Sequence, residues 1–484
     1  MHNLLHKIVN VGLFIILIGV FLLGAFGHAQ DKPNIESSQG LTYPDFHWMV
    51  DQPTYIQKYA KYKPNTKIPN PNHLPLFRLK TNFATEVPPK SNWPEFLKID
   101  FQKEPLRYLE AARDYSFEGN IPAYGGGPVA WDPFGNKIRE WVHLPWLHVP
   151  QAFPANGGTE GFRGLITEIN ATPYQFSDKQ TNQYTIYAIT LVNEYAGYSL
   201  GRMWKDPNNP DPSAMDKRFG GGFLPGTVFA KLLLTDAPAS QAPQLANPMQ
   251  WQAFIQESFG SADRIVAPVN LLQMDIAVRD PRADAFTGWV FGTLAYNGAV
   301  NNKRSQFLNL VPLGMMWGND PDNTENKINP FPPKPVKEIV NLDLKETVIF
   351  VDQPLPPQHL GWNSRLCGPA DLSTVSCLAC HMAAQYPPVR TLFPPTASTT
   401  SRPAGGKLPP LGGGEKIWME WFQNTQCGVS LNPENTYSTD FSFQVAIGLE
   451  NFYANKAAQM GGQWASEYEL DKVQISRGGV TPDP

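Results

Sequence analysis

Apolar and polar positions follow two regimes along this chain. Up to about residue 135 only one segment of the body has helical spacing: 105–115, P-L-R-Y-L-E-A-A-R-D-Y, with Leu106, Leu109 and Ala112 on one face. From about residue 162 the apolar residues gather into short β-branched and aromatic runs, at 183–193, 227–234, 269–278, 288–296, 310–317 and 346–351. No helical pattern of comparable length intervenes. The expected fold is mainly β, an antiparallel sheet folded on itself with a few helices and many loops.

Composition sharpens this picture. The 47 prolines and 39 glycines argue for loops and short strands rather than a helical bundle. A hydrophobic share of 42% with 12% aromatics supports a substantial core. The net charge of −4, with no long run of one sign, gives no footprint for nucleic acid. Residues 59–75 are polar and Pro-rich, which suits an extended arm. Gly125-Gly126-Gly127 lacks the strand and helix of a phosphate cradle.

The first residues carry an address. Lys7 precedes an apolar run from Val11 to Phe26, and Gly27-His28-Ala29 before Gln30 is a small-residue cleavage site. Cleavage after Ala29 is the expected outcome, with an uncleaved membrane anchor as the alternative. In either case the body lies outside the cytoplasm, in the periplasm or secreted.

The chemistry concentrates at 377–381. Cys377, Leu378, Ala379, Cys380 and His381 spell C-x-x-C-H, the attachment pattern of a c-type haem. Two thiols one turn apart each add to a porphyrin vinyl group, which sets the next side chain, His381, beside the iron as proximal ligand. A zinc knuckle would need further ligands at knuckle spacing, and the chain offers only the single Cys367 and Cys427. A thioredoxin-type dithiol should follow a strand in a βαβ unit, whereas this pair follows a polar, Pro-containing loop. With haem on Cys377 and Cys380, an even pair of cysteines is left in an oxidising compartment. A Cys367–Cys427 disulfide is therefore expected, two unpaired buried thiols being the alternative. The resulting division is a signal peptide (1–29), a Pro-rich N-terminal extension (30–135), a β-rich haem domain (136–395) and a C-terminal extension (396–484).

The order of the β pieces adds a family resemblance. Tyr187–Ala196, Phe223–Leu234, Leu271–Asp280 and Thr287–Gly298, followed by C-L-A-C-H, resemble the cytochrome P-460 and cytochrome c′-beta family across roughly 160–390. The resemblance implies one covalent haem on an antiparallel sheet, five-coordinate through His381, with an open distal side walled by aromatic rings. It also implies hydroxylamine oxidation or nitric oxide binding, and in some members a lysine joined to the porphyrin edge. Lys231 occupies the place for such a lysine; otherwise it needs an ion-pair partner, for which Asp236 and Asp275 are the candidates. The chain departs from the family in its long extensions and in an insertion at about 299–365.

The sixth coordination position separates the functions. A methionine there makes an electron carrier; an open position admits substrate. Met419 and Met460 are candidate ligands beyond the motif, with Met315 or Met316 as a strand alternative. In an open site Asp275, flanked by apolar residues, would have a raised pKa and act as acid or base, with His143 and His148 as rivals. Trp289 and Phe291 are candidate pocket walls. The expectation is redox chemistry on a small nitrogen or oxygen species. Its competitors are a capped electron carrier serving a periplasmic redox protein and a binding module with structural haem.

Overall fold

A computed structural model describes residues 80–119, 136, 138–147, 165–256, 264–302, 305–323, 337–341, 360–362, 365–372, 375–388 and 419–459. The export signal, the Pro-rich arm at 59–75, the run at 346–351, His148 and Met460 lie outside these residues. Among the described residues no helix is long and apolar enough to cross a membrane.

The β-branched runs form one nine-stranded antiparallel sheet. In chain order its strands are β1 (Val142–His143), β2 (Ile166–Ala171), β3 (Tyr184–Val192), β4 (Val228–Thr235), β5 (Gln250–Gln256), β6 (Arg264–Arg279), β7 (Trp289–Tyr296), β8 (Leu310–Met316) and β9 (Glu338–Val340). The spatial order is β1-β3-β4-β6-β7-β8-β9, with β2 also on β3 and β5 also on β6. At sixteen residues β6 is long enough to pair β5 along its first half and β4 along its second.

Register decides what each face carries. Thr190, Lys231, Asp275 and Thr293 stand opposite one another on β3, β4, β6 and β7. The next row, His143, Leu191, Ala230, Ile276 and Gly292, points to the other face, because successive side chains alternate. Helix α1 (Pro105–Phe117), the one helix legible in the sequence, covers that second face with Tyr108, Leu109 and Ala112. It sits so close that a methyl added at Gly292 would lie 2.4 Å from Leu109 Cδ1. With both faces covered, all eight residues of β4 are buried, and polar alternation is lost.

One expectation needs correction. A second helix, α2 (Glu194–Met203), does intervene between β3 and β4. Asn193 makes the switch from strand to helix: its Oδ1 accepts from Ala196 N (3.4 Å) and Val228 N (3.1 Å), and its Nδ2 donates to Gly226 O (2.9 Å). The helix is short, ten residues, and only Asn193 separates it from β3, so the sequence does not set it apart from the strand.

Beyond the sheet come α3 (Cys377–Met382), β10 (Gln385–Tyr386), β11 (Tyr437–Ser438) and α4 (Phe443–Gln459), with β10 and β11 paired. All described residues belong to one unit, 41–484. Residues 419–459 are thus part of the same body as the sheet, and Phe441, Val445, Leu449 and Phe452 pack in one cluster with Phe229, Trp289 and Phe291.

Candidate haem-attachment site

The C-x-x-C-H residues fold as the short helix α3. Ser376 starts it, its Oγ accepting from Ala379 N at 3.3 Å. Leu378 and Met382 join the cluster around Phe291 and Met316, while Ala379 and Ala383 pack on Trp362 and Phe422. Both small faces of the helix are thereby anchored. Cys377, Cys380 and His381 remain half-buried, and both thiols are free.

His381 is held by one nitrogen only. Its Nδ1 donates to the carbonyl of Phe441 at 2.7 Å, which fixes the tautomer and leaves Nε2 with its lone pair. Nε2 makes no hydrogen bond among the described residues. The ring lies between Phe291 (4.7 Å) and Phe443 (4.6 Å). Burial, chiefly, together with the Lys231 charge pushes the imidazole pKa down to about 3 against the pull of the Phe441 carbonyl. The ring is therefore neutral, as a metal ligand must be.

The sheet brings polar groups to the same place. Lys231 Nζ donates to Glu168 and lies 5.4 Å from the Phe443 ring. Burial opposes the lysine charge, but Glu168, Asp275 and Asp371 outweigh it and its pKa rises. Glu168 reaches Lys231 because β2 shifts register between Thr167 and Ile169, a bulge that re-aims the residue between them. Gln273 Nε2 donates to Asp275 Oδ1 (2.8 Å) and to Asp371 Oδ2 (2.9 Å), and its Oε1 accepts from Ala370 N (2.9 Å). Thr293 Oγ1 donates to Asp275 Oδ1 (3.1 Å) and lies 3.6 Å from Cys377 Sγ. Burial and then the neighbouring Asp371 push Asp275 up to about 8, despite Lys231. Asp371 also rises, chiefly by burial. Burial and the same acids raise the Cys377 thiol, and burial with Asp371 takes Cys380 up to about 12.

Four strands, β2, β4, β6 and β7, and the motif thus meet at one site. Lys231, Asp275, Cys377, Cys380 and His381, singled out separately in the sequence, are brought together, and Phe291 lies against the imidazole as a wall. Trp289 lies on the same face, its Nε1 donating to Asp440 Oδ1 at 2.9 Å. Sequence reasoning missed Glu168, Gln273, Asp371 and the Phe441 carbonyl. Asp371 had a signal, as the acid in the loop just before the motif; a backbone carbonyl 60 residues away had none.

Several expectations are corrected. His143 faces the α1 side of the sheet, away from the Lys231 row, and its Nδ1 accepts from Lys80 N at 2.9 Å. Asp236 accepts from Thr185 N (2.9 Å) and is not the partner of Lys231. The methionine candidates are located rather than overturned: Met419 packs against the Trp362–Phe422 cluster, as Cys380 does, and the rings around His381 are Phe291 and Phe443. Met315 belongs to the α1-side core; Met316 packs in the cluster that holds Phe291. The Cys367–Cys427 disulfide is not formed. Cys367 is a buried thiol 3.4 Å from Leu372 O, and Cys427 lies against Gly288 beside Arg279.

Comparison with family models, curated proteins and solved structures finds no match. The residues themselves fit a covalent haem. Two unbridged thiols stand one turn apart, followed by a neutral imidazole whose outer nitrogen is free and whose inner nitrogen is anchored. Among the described residues there is no group of three or more His, Cys, Asp or Glu arranged to hold a bare metal ion.

Proposed function

We propose that this chain is an exported mono-haem c-type cytochrome with redox activity toward a small nitrogen or oxygen species. The observation that carries the reading is His381, with Nδ1 on the Phe441 carbonyl at 2.7 Å and Nε2 free. An imidazole so fixed is more basic at its other nitrogen and cannot rotate away from a ligand. Cys377 and Cys380 would form the thioethers and His381 would bind the iron. The bound haem would supply one-electron chemistry.

The chain's own residues divide the remaining work. Asp275, with its pKa at about 8, keeps a proton at neutral pH and can give it to a reacting oxygen or nitrogen. Gln273 and Thr293 hold its Oδ1, so Oδ2 is the oxygen that acts. Lys231 is held charged by Glu168 and offsets the negative charge that Asp275 takes on once it has given up its proton. Phe291 and Phe443 flank the imidazole and keep water from it. The likeness of the strand pieces to the cytochrome P-460 class supports an open distal side and a nitrogen substrate.

The test is a visible spectrum of protein matured in a host that attaches haem to C-x-x-C-H. A high-spin ferric spectrum that shifts with nitric oxide or hydroxylamine supports the reading. A low-spin spectrum with a sulfur-to-iron band, unmoved by either, would make it a capped carrier.

A further inference from the structure

Phe441 does not reach His381 by chance of an ordinary turn. Asp440 and Phe441 both have left-handed backbones, with φ of 49° and 64°, and neither is glycine. Left-handed backbone is unfavourable for residues other than glycine, and a consecutive pair persists only where the surroundings over-determine it. Asp440 supplies that determination. It is 1% exposed, and its carboxylate takes three donors from three separate segments. Oδ2 accepts from Phe223 N at 2.6 Å; Oδ1 accepts from Trp289 Nε1 at 2.9 Å and Gly428 N at 2.8 Å. These donors belong to the loop before β4, the first residue of β7 and the loop after Cys427. The next residue presents its carbonyl to His381, and Phe443, two further on, lays its ring against the same imidazole.

We propose that Asp440 is a positioning residue for the proximal imidazole: its three-way clamp forces the turn that aims the Phe441 carbonyl at Nδ1. Asp440 thereby sets the basicity of Nε2 and the redox poise of the site. The inference rests on the haem reading of His381 given above. It makes the C-terminal segment a working part of the site rather than an appendage. Removing the clamp lets the turn relax toward ordinary φ values, and the carbonyl swings off the Nδ1 proton. A weaker hydrogen bond at Nδ1 makes the opposite nitrogen a poorer donor to iron.

The test uses the mature haem protein and the variants Asp440→Asn, Trp289→Phe and Leu109→Val. Asparagine keeps the shape but turns an amide toward one of the donors; phenylalanine deletes one donor and leaves two. Leu109→Val lowers stability from the opposite face of the sheet and leaves the turn alone. Haem content by pyridine haemochromogen is read first, so that a wild type without haem refutes the haem reading itself, and this one with it. In haem-loaded protein, Asp440→Asn is expected to lower the ferrous iron–histidine stretching frequency. It should also move the reduction equilibrium about tenfold, some 59 mV for one electron. Trp289→Phe should shift both the same way by less, and it carries the test if Asp440→Asn does not fold. Unchanged frequency and potential in these two variants, or an equal shift in Leu109→Val, would overturn the proposal.

Discussion

Replacing Lys231 by methionine isolates the electrostatics of the site from its packing. Methionine keeps the unbranched stem that β4 buries, and only the ammonium is lost. Lys231 is 8% exposed and the Glu168 side chain 18%, so the carboxylate left behind is largely cut off from water. Removing one partner of a buried pair costs about 3–5 kcal/mol. The remaining exposure of Glu168 puts this case at the lower end, about 3 kcal/mol. Asp371 also faces this cation. The double variant Lys231→Met with Glu168→Gln leaves no orphan charge and should recover about 2 kcal/mol of that loss, which appears as coupling in the cycle. Urea unfolding of the mature protein at pH 7, followed by the fluorescence of its 13 tryptophans, measures all four corners. If Lys231→Met unfolds at the wild-type midpoint, or if the two substitutions add without coupling, the pair does not hold the site together.

Two further outcomes follow from protonation. Asp275 has its pKa raised to about 8, so the folded protein keeps a proton that the unfolded chain has lost above about pH 4. Stability should therefore fall as pH rises from about 4 through 8, and Asp275→Asn should remove on the order of 2 kcal/mol of that fall in urea titrations at pH 5 and pH 8; an unchanged difference would place the carboxyl in water. His143 behaves in the opposite sense: burial pushes its pKa down to about 3, so the unfolded chain binds the proton more tightly. Stability should drop as pH falls from about 6.5 toward 3, and His143→Asn, which keeps an acceptor for Lys80 N, should flatten that drop; an identical acid limb would exclude the histidine as its source.

The sheet was legible because β-branched runs bounded by turn residues admit few other structures, and β3, β4, β7 and β8 begin and end within about a residue of the sequence reading. The motif was legible because two cysteines and a histidine at this spacing form a short, uncommon pattern in a chain with four cysteines. Lys231 and Asp275 stood out as single charges inside apolar runs, but sequence could not show that register sets them side by side. His143 looked equivalent and lies on the other face, since a one-residue step in a strand reverses direction. Glu168 was invisible because its aim comes from a bulge, and Phe441 because its contribution is a carbonyl that every residue owns. The C-terminal segment read as an extension because nothing in its sequence says which element its apolar residues Phe441, Val445, Leu449 and Phe452 pack against, or that Asp440 is bonded to β7.

In the function proposed above, Cys377 and Cys380 carry a haem whose iron is bound by His381. Peptide mass spectrometry of the mature protein, purified from a host with haem-attachment machinery, tests it most directly. The peptide spanning residues 377–381 should carry one haem added through both sulfurs, and that mass should be lost in Cys377→Ala, Cys380→Ala double-substituted protein. Recovery of the same peptide from folded, exported wild-type protein with two free thiols, or with a Cys377–Cys380 disulfide, would contradict it.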